Sequence, residues 1–221
     1  MKEFAQSGFD PIEYIRAETL TSLEEFKLRF GVKSIIALSG GADALGGEAI
    51  YELFSQVLRE TKELSPAVLT GGTKGGIPEL GLRVARDLGV PTIGVFPQRG
   101  RKNALLELID LPIETMPPNL GSPTYGTETP TFATLPDVTI IIGGSFGTLT
   151  EISTMLKFNG KKIEDHENPI YLCPVEGSGG VADMIRQLVE LKPGAEVCLP
   201  TTPVRTGEEI ASFMRQHLLY N

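Results

Sequence analysis

Five short apolar runs set the frame of this chain: SIIALS (34–39), AVLT (67–70), TIGVF (92–96), VTIII (138–142) and IYLC (170–173). Each is apolar at odd and even positions alike, as a strand covered on both faces must be. Helical periods lie between them. Ile50, Leu53, Phe54, Val57 and Leu58 carry one, and a second runs from Pro78 to about Leu88, where Gly89 ends it. Buried strands alternating with amphipathic helices imply a parallel sheet wound on both sides. The expected fold is α/β, a doubly wound parallel sheet in a single domain over 33–221, preceded by an entry segment, 1–32.

The remaining elements read less regularly. Thr21, Ser22, Leu23 and Glu24 have capping-box spacing before a short helix ending near Phe30. RKNALLELID (101–110) reads as a helical turn or two, and PIETM (112–116) as a short extended piece. The segment 117–136 holds five prolines and no period, so it reads as a long functional loop, with Tyr125 and Glu128 as its candidate specificity residues. A helix after the fourth run reaches about Phe158, followed by a charged loop, GKKIEDHENP. Helices over 181–191 and 208–219 complete the chain.

Three glycine loops follow three of the strands: SGGADALGG (39–47), TGGTKGG (70–76) and GGSFGT (143–148). In a parallel sheet, loops joining a strand's carboxyl end to the next helix all open on one edge. Glycine lets a ligand approach backbone N–H groups with no Cβ in the way, and a helix start behind it favours an anion. Gly40, Gly41, Gly71, Gly72, Thr73, Lys74, Gly75, Gly143, Gly144, Ser145, Phe146, Gly147 and Thr148 are therefore the candidate ligand-binding residues. Lys74 also reads as a solvated loop lysine, and each loop alone as a tight turn. The order of letters matches neither G-x-x-x-x-G-K-[ST] nor G-x-G-x-x-G nor G-x-S-x-G, which argues against a P-loop, a dinucleotide fingerprint and a nucleophile elbow. Glu151 has two compatible readings. With Thr148 it has capping-box spacing, and one turn into a helix it also stands near any sugar whose phosphate sits at the helix mouth.

Charge narrows the partners. At −8, with no basic cluster longer than RGRK (99–102), the chain is ill suited to extended nucleic acid, whereas a small phosphorylated ligand needs only a local site. Arg99 and Arg101 read as solvent-facing. No apolar run reaches the ~18 residues of a membrane span, so no membrane association is expected. Cys173 and Cys198 sit in apolar runs and read as core residues of a reducing, cytoplasmic protein. His166 and His217 have no partner at metal spacing, so no metal site is expected.

GGSFGTLTE (143–151) resembles the PGGxGTxxE signature of the LOG proteins, once called lysine decarboxylases, and TGGTKGGIPELG (70–81) resembles the second glycine motif of the wider SLOG superfamily, including the branch related to TRPM sensor domains. The resemblance spans about 34–172. It implies a Rossmann-like fold, often dimeric, hence a homodimer or higher homo-oligomer, binding nucleotides or their derivatives with no other cofactor required. It implies phosphate contacts for Gly143, Gly144, Gly147 and Thr148, and a catalytic or ribose-binding acid at Glu151. LOG enzymes cleave the N-glycosidic bond of a nucleoside 5′-monophosphate, and another SLOG group carries the molybdenum cofactor. Two positions depart from the LOG pattern: Ile142 replaces the proline, and the stretch upstream of the strand, TYGTETPTFATLPD (124–137), has no Arg or Lys and places Glu128 where a cation is expected. A sensor or carrier is the leading expectation, with LOG-type cleavage by Glu151 and molybdenum cofactor carriage as alternatives.

Overall fold

Alternate residues along each inner strand serve opposite faces of one sheet. On β1 (Ser34–Gly40), Ile35 and Ala37 join one apolar cluster, and Ile36 and Leu38 join the other. The computed structural model describes residues 17–41, 47–116, 126–191 and 194–219. Its sheet contains β1, β2 (Pro66–Thr70), β3 (Thr92–Pro97), β4 (Leu111–Thr115), β5 (Val138–Ile142) and β6 (Tyr171–Pro174), all parallel, in the order β4-β3-β2-β1-β5-β6. PIETM thus supplies an edge strand. One face is covered by α1 (Ala17–Phe30), α4 (Thr129–Thr134), α5 (Phe146–Glu164) and α6 (Ile185–Val189). The other is covered by α2 (Glu48–Glu60), α3 (Gly76–Asp87) and α7 (Gly207–Leu218). Among the described residues no helix is long and apolar enough to cross a membrane.

Several elements differ in extent from the sequence expectation, among them the helix expected over 181–191, which is α-helical only at Ile185–Val189 after a 3-10 turn at Ala182–Met184. Helix α1 is already formed at Ala17, a turn before Thr21, and the Ser22 hydroxyl donates to the Glu18 carbonyl. No Gly or Pro lies between Ala17 and Thr21 to stop the helix propagating upstream. Helix α5 continues past Phe158 through GKKIE, where Lys161 pairs with Asp165 one turn on at 2.9 Å. The 117–136 segment is not a loop throughout. TPTFAT forms α4 because Phe132 and Ala133 dock into the core, so burial overrides a weak helix-forming sequence. RKNALLELID does form helical turns, of 3-10 type, at Gln98–Asn103 and Leu106–Leu108.

Both cysteines lie in the core, where burial raises the Cys198 thiol to about 11 and the Cys173 thiol further. His217 packs against the rings of Tyr171 and Phe213, and burial lowers its pKa. Among the described residues no cluster of three or more metal-binding side chains exists. Asn159 acts as a substitute strand. Its Nδ2 donates to the Ile170 carbonyl and its Oδ1 accepts the Ile170 N–H, both at 2.7 Å and fully buried. Asn159→Ala would orphan both backbone groups at the entry to β6, and should lower unfolding free energy by about 2–5 kcal/mol in urea denaturation.

Candidate functional site

The chain builds outward from β1 to β4 and then returns to place β5 on the other flank of β1. The connections leaving β1 and β5 therefore diverge, opening a crevice at the carboxyl ends of these two strands, where open α/β sheets take ligands. A cleft of about 260 Å³ lies there. Its walls include Ser39 and Gly40 at the end of β1, Gly41 just after it, and Gly71 and Thr73 after β2. Ser145, Gly147, Thr148 and Glu151 follow β5, and Glu128 enters from the residue before α4. All three glycine loops contribute.

The loop after β5 is braced from behind. The Gly143 N–H donates to Ser178 Oγ at 2.9 Å, and that hydroxyl in turn donates to the Val175 carbonyl. The Gly143 and Gly144 carbonyls accept the N–H groups of Ala182 and Val181. Gly144 has φ +95°, and a Cβ there would come within 2.6 Å of Thr148. These contacts fix the loop where α5 starts. Ser145 is the N-cap of α5 but makes no side-chain cap, and the first amides of a helix have no intrahelical acceptor. The N–H groups of Phe146, Gly147 and Thr148, at the positive end of a 19-residue helix, are thus available to an anion at the cleft.

The capping-box reading of Thr148 and Glu151 is not what the structure shows. The N-cap falls three residues earlier, Thr148 is buried inside the first turn, and the Glu151 carboxylate turns to β1. Ser39 Oγ donates to Glu151 Oε2 at 2.5 Å. Glu151 shares the inward stripe of α5 with Thr148, Ile152 and Met155, so its carboxyl is pressed into the protein beside the cleft. Burial is the main cause that raises its pKa from 4.5 to about 7, with the Glu128 charge adding to it and the Ser39 hydrogen bond opposing. Burial also raises Glu128, against the pull of its own N–H and that of Gly126, which donates to its Oε2 at 2.8 Å. Among the described residues lining the cleft there is no Lys or Arg.

Several other candidates support the cleft or lie outside it. Gly40 brings β1, β5 and α3 together, since a Cβ on it would lie 2.6 Å from both the Ile142 carbonyl and the Ile77 side chain. Gly41 accepts the Ile77 N–H, tying the first loop to α3. Gly72 is buried against Ile109 and Phe96, its N–H bonded to Thr70 Oγ1. Gly75 donates to Glu79 Oε2, and Lys74 is exposed and outside the cleft wall, its N–H bonded to the Asn103 carbonyl. Phe146 is 84% exposed and also outside the wall, and Arg101 pairs with Glu114 at 2.5 Å. Tyr125 and residues 42–46 of the first loop lie outside the described residues. Two contributors were missed from sequence. Ser39 continues the odd-numbered row of β1 that faces α5, a signal that strand alternation carries. The Ser178–Gly180 brace has a weaker signal, a fourth Gly-rich turn, EGSGG, after a strand.

No curated protein sequence matches the chain. Solved structures do. The protein TM1055 superposes with a TM-score of 0.59 at 20% identity over 83% of this chain and 99% of its own. The molybdenum cofactor binding protein of the phototrophic bacterium Rippkaea orientalis gives 0.60 at 20% identity, over 83% and 96%. The molybdenum cofactor carrier protein of Chlamydomonas reinhardtii gives 0.56 at 20% identity, over 86% and 99%. At such identity the likeness establishes the Rossmann-like fold. The family assignment rests instead on the sequence pattern of the SLOG cluster4 family, which matches residues 33–164 and so takes in β1 to α5 with all three glycine loops. The chain belongs to the SLOG cluster4 family.

Proposed function

We propose that the chain binds a nucleotide or nucleotide-derived phosphorylated ligand in this cleft, as a sensor or carrier. The observation that carries the reading is the uncapped start of α5, where Ser145, Gly147 and Thr148 line a crevice at the switch point of the sheet. A phosphate seats on the N–H groups of Phe146, Gly147 and Thr148, and Gly40, Gly41, Gly71 and Thr73 form the walls beside it. At about 260 Å³ the cleft encloses a phosphate and its sugar, and leaves the remainder of a larger ligand at the rim. Two of the structural neighbours are named for binding or carrying the molybdenum cofactor, which supports a carrier role and places that cofactor among the ligands to try.

Thermal shift against AMP, GMP, ADP-ribose and pterin phosphates tests this directly. At least one should raise the melting temperature of the wild type by several degrees at millimolar concentration. Stabilisation by none, with the protein folded, rejects the reading. Gly147 sharpens the test, because a Cβ there meets nothing within 4 Å in the empty cleft. Gly147→Ala should leave the melting temperature within about 3 °C of wild type, yet weaken the stabilising ligand on the order of tenfold by crowding the seated phosphate.

A second reading is favoured by one observation, the Glu151 carboxyl held near 7 beside the cleft. A group so poised can protonate a departing base, as N-glycosidic cleavage of a nucleoside 5′-monophosphate requires. It predicts free base from AMP with the wild type and none with Glu151→Gln. No base released from a broad set of monophosphates rejects it.

A further inference from the structure

A phosphate seated on the start of α5 would fill part of the cleft, and the role of the acidic groups beside it rests on that phosphate-binding reading. Glu128 and Glu151 reach the cleft from different elements, the residue before α4 and the first turns of α5, whose helices share one apolar cluster. Glu151 Oε2 is engaged by Ser39, while its other oxygen has no partner among the described residues. Glu128 is fixed by the Gly126 N–H. No Lys or Arg among the described residues of the cleft wall stands between them to neutralise either. Lys74, the lysine of the second glycine loop, lies outside the wall.

Two carboxylates of like charge confined in one cleft destabilise an empty protein, and a structural role would be served as well by amides. Their presence together makes sense if a ligand supplies donors to them. The cleft then offers two kinds of partner: the first amides of α5 attract one anion, and the acidic pair beside them accepts hydrogen bonds and repels a second anion. We infer that Glu128 is a specificity-determining residue, which with Glu151 selects ligands carrying hydroxyl or amino donors beside the seated phosphate and rejects those carrying a second phosphate there. The chemical class is a 5′-phosphorylated ribonucleoside with free sugar hydroxyls, and the 3′,5′-bisphosphate is excluded. Like-charge rejection in a partly desolvated site should exceed about tenfold.

Calorimetric titration at pH 8 with AMP and with adenosine 3′,5′-bisphosphate tests the inference. The wild type should bind AMP at least about twentyfold more tightly. Glu128→Gln keeps an acceptor for Gly126 but removes the charge, so it should narrow that ratio to within about threefold, chiefly by improving the bisphosphate. Equal affinity of the wild type for the two compounds overturns the inference and leaves phosphate binding standing. An undiminished ratio in Glu128→Gln overturns the role of Glu128. Binding of neither compound by folded wild type removes the phosphate reading, and this inference with it.

Discussion

Glu151→Gln should raise the melting temperature of the empty protein by about 4–8 °C at pH 8, and by almost nothing at pH 4.5. The sign comes from the direction of the shift. In the fold the carboxyl titrates near 7, against 4.5 in its ordinary state, because burial and the Glu128 charge disfavour the ionised form. Below about 4.5 it is protonated whether folded or not, and costs nothing. As pH rises towards 7 the unfolded chain ionises first, so stability drains away, and above 7 the loss is complete. The full shift corresponds to about 3 kcal/mol, which the residual exposure of the side chain to the cleft reduces to about 2 kcal/mol. Glutamine keeps an acceptor for the Ser39 hydroxyl while removing the charge. Paired thermal melts of wild type and variant from pH 4.5 to 8 read the difference out. A variant no more stable than wild type at pH 8 would show that water in the cleft solvates the carboxylate fully.

That prediction turns on a residue whose letters were visible and whose environment was not. The strands, their parallel order of burial and the shared edge of the glycine loops were legible because a period of two and a run of apolar residues are local signals. The Thr148 to Glu151 spacing is local too, and it misled. Where α5 begins is decided by the loop before it, and that loop is held by Ser178, Val181 and Ala182, more than thirty residues downstream. Helix α4 was hidden for a similar reason. TPTFAT has poor intrinsic helicity and becomes a helix only because the core accepts Phe132. Even so, alternation along β1 carries the signal that puts Ser39 on the row facing the helix that bears Glu151. What sequence could not supply was the depth to which that carboxyl is pressed, which is a property of packing between β1, α4 and α5.

The brace behind the loop leads to the largest effect expected of any single methyl group in this chain. Gly180→Ala should destabilise the protein by at least about 3 kcal/mol, or prevent recovery of folded protein. Gly180 has φ +56°, a conformation that costs a residue with a Cβ about 1–2 kcal/mol. The added Cβ would also overlap the Gly144 carbonyl oxygen and come within 3.1 Å of the backbone of Gly143. These are main-chain atoms of the loop itself, with no rotamer to give way, and the Gly144 carbonyl is the acceptor for Val181. Relief would require the 178–182 turn to withdraw, breaking the bonds from Val181 and Ala182 and the one from Gly143 to Ser178. Ser178→Ala makes the informative companion, since of these three bonds it removes only the last, together with the hydroxyl's own bond to the Val175 carbonyl, and should cost about 1–2 kcal/mol. If Ser178→Ala keeps the fold but weakens the stabilising nucleotide several-fold, the brace serves to aim the amides of α5 as well as to hold the loop. Were Gly180→Ala instead to match wild type in urea denaturation, the close approach of the two turns would be wrong, and with it the fixed geometry on which the anion site depends.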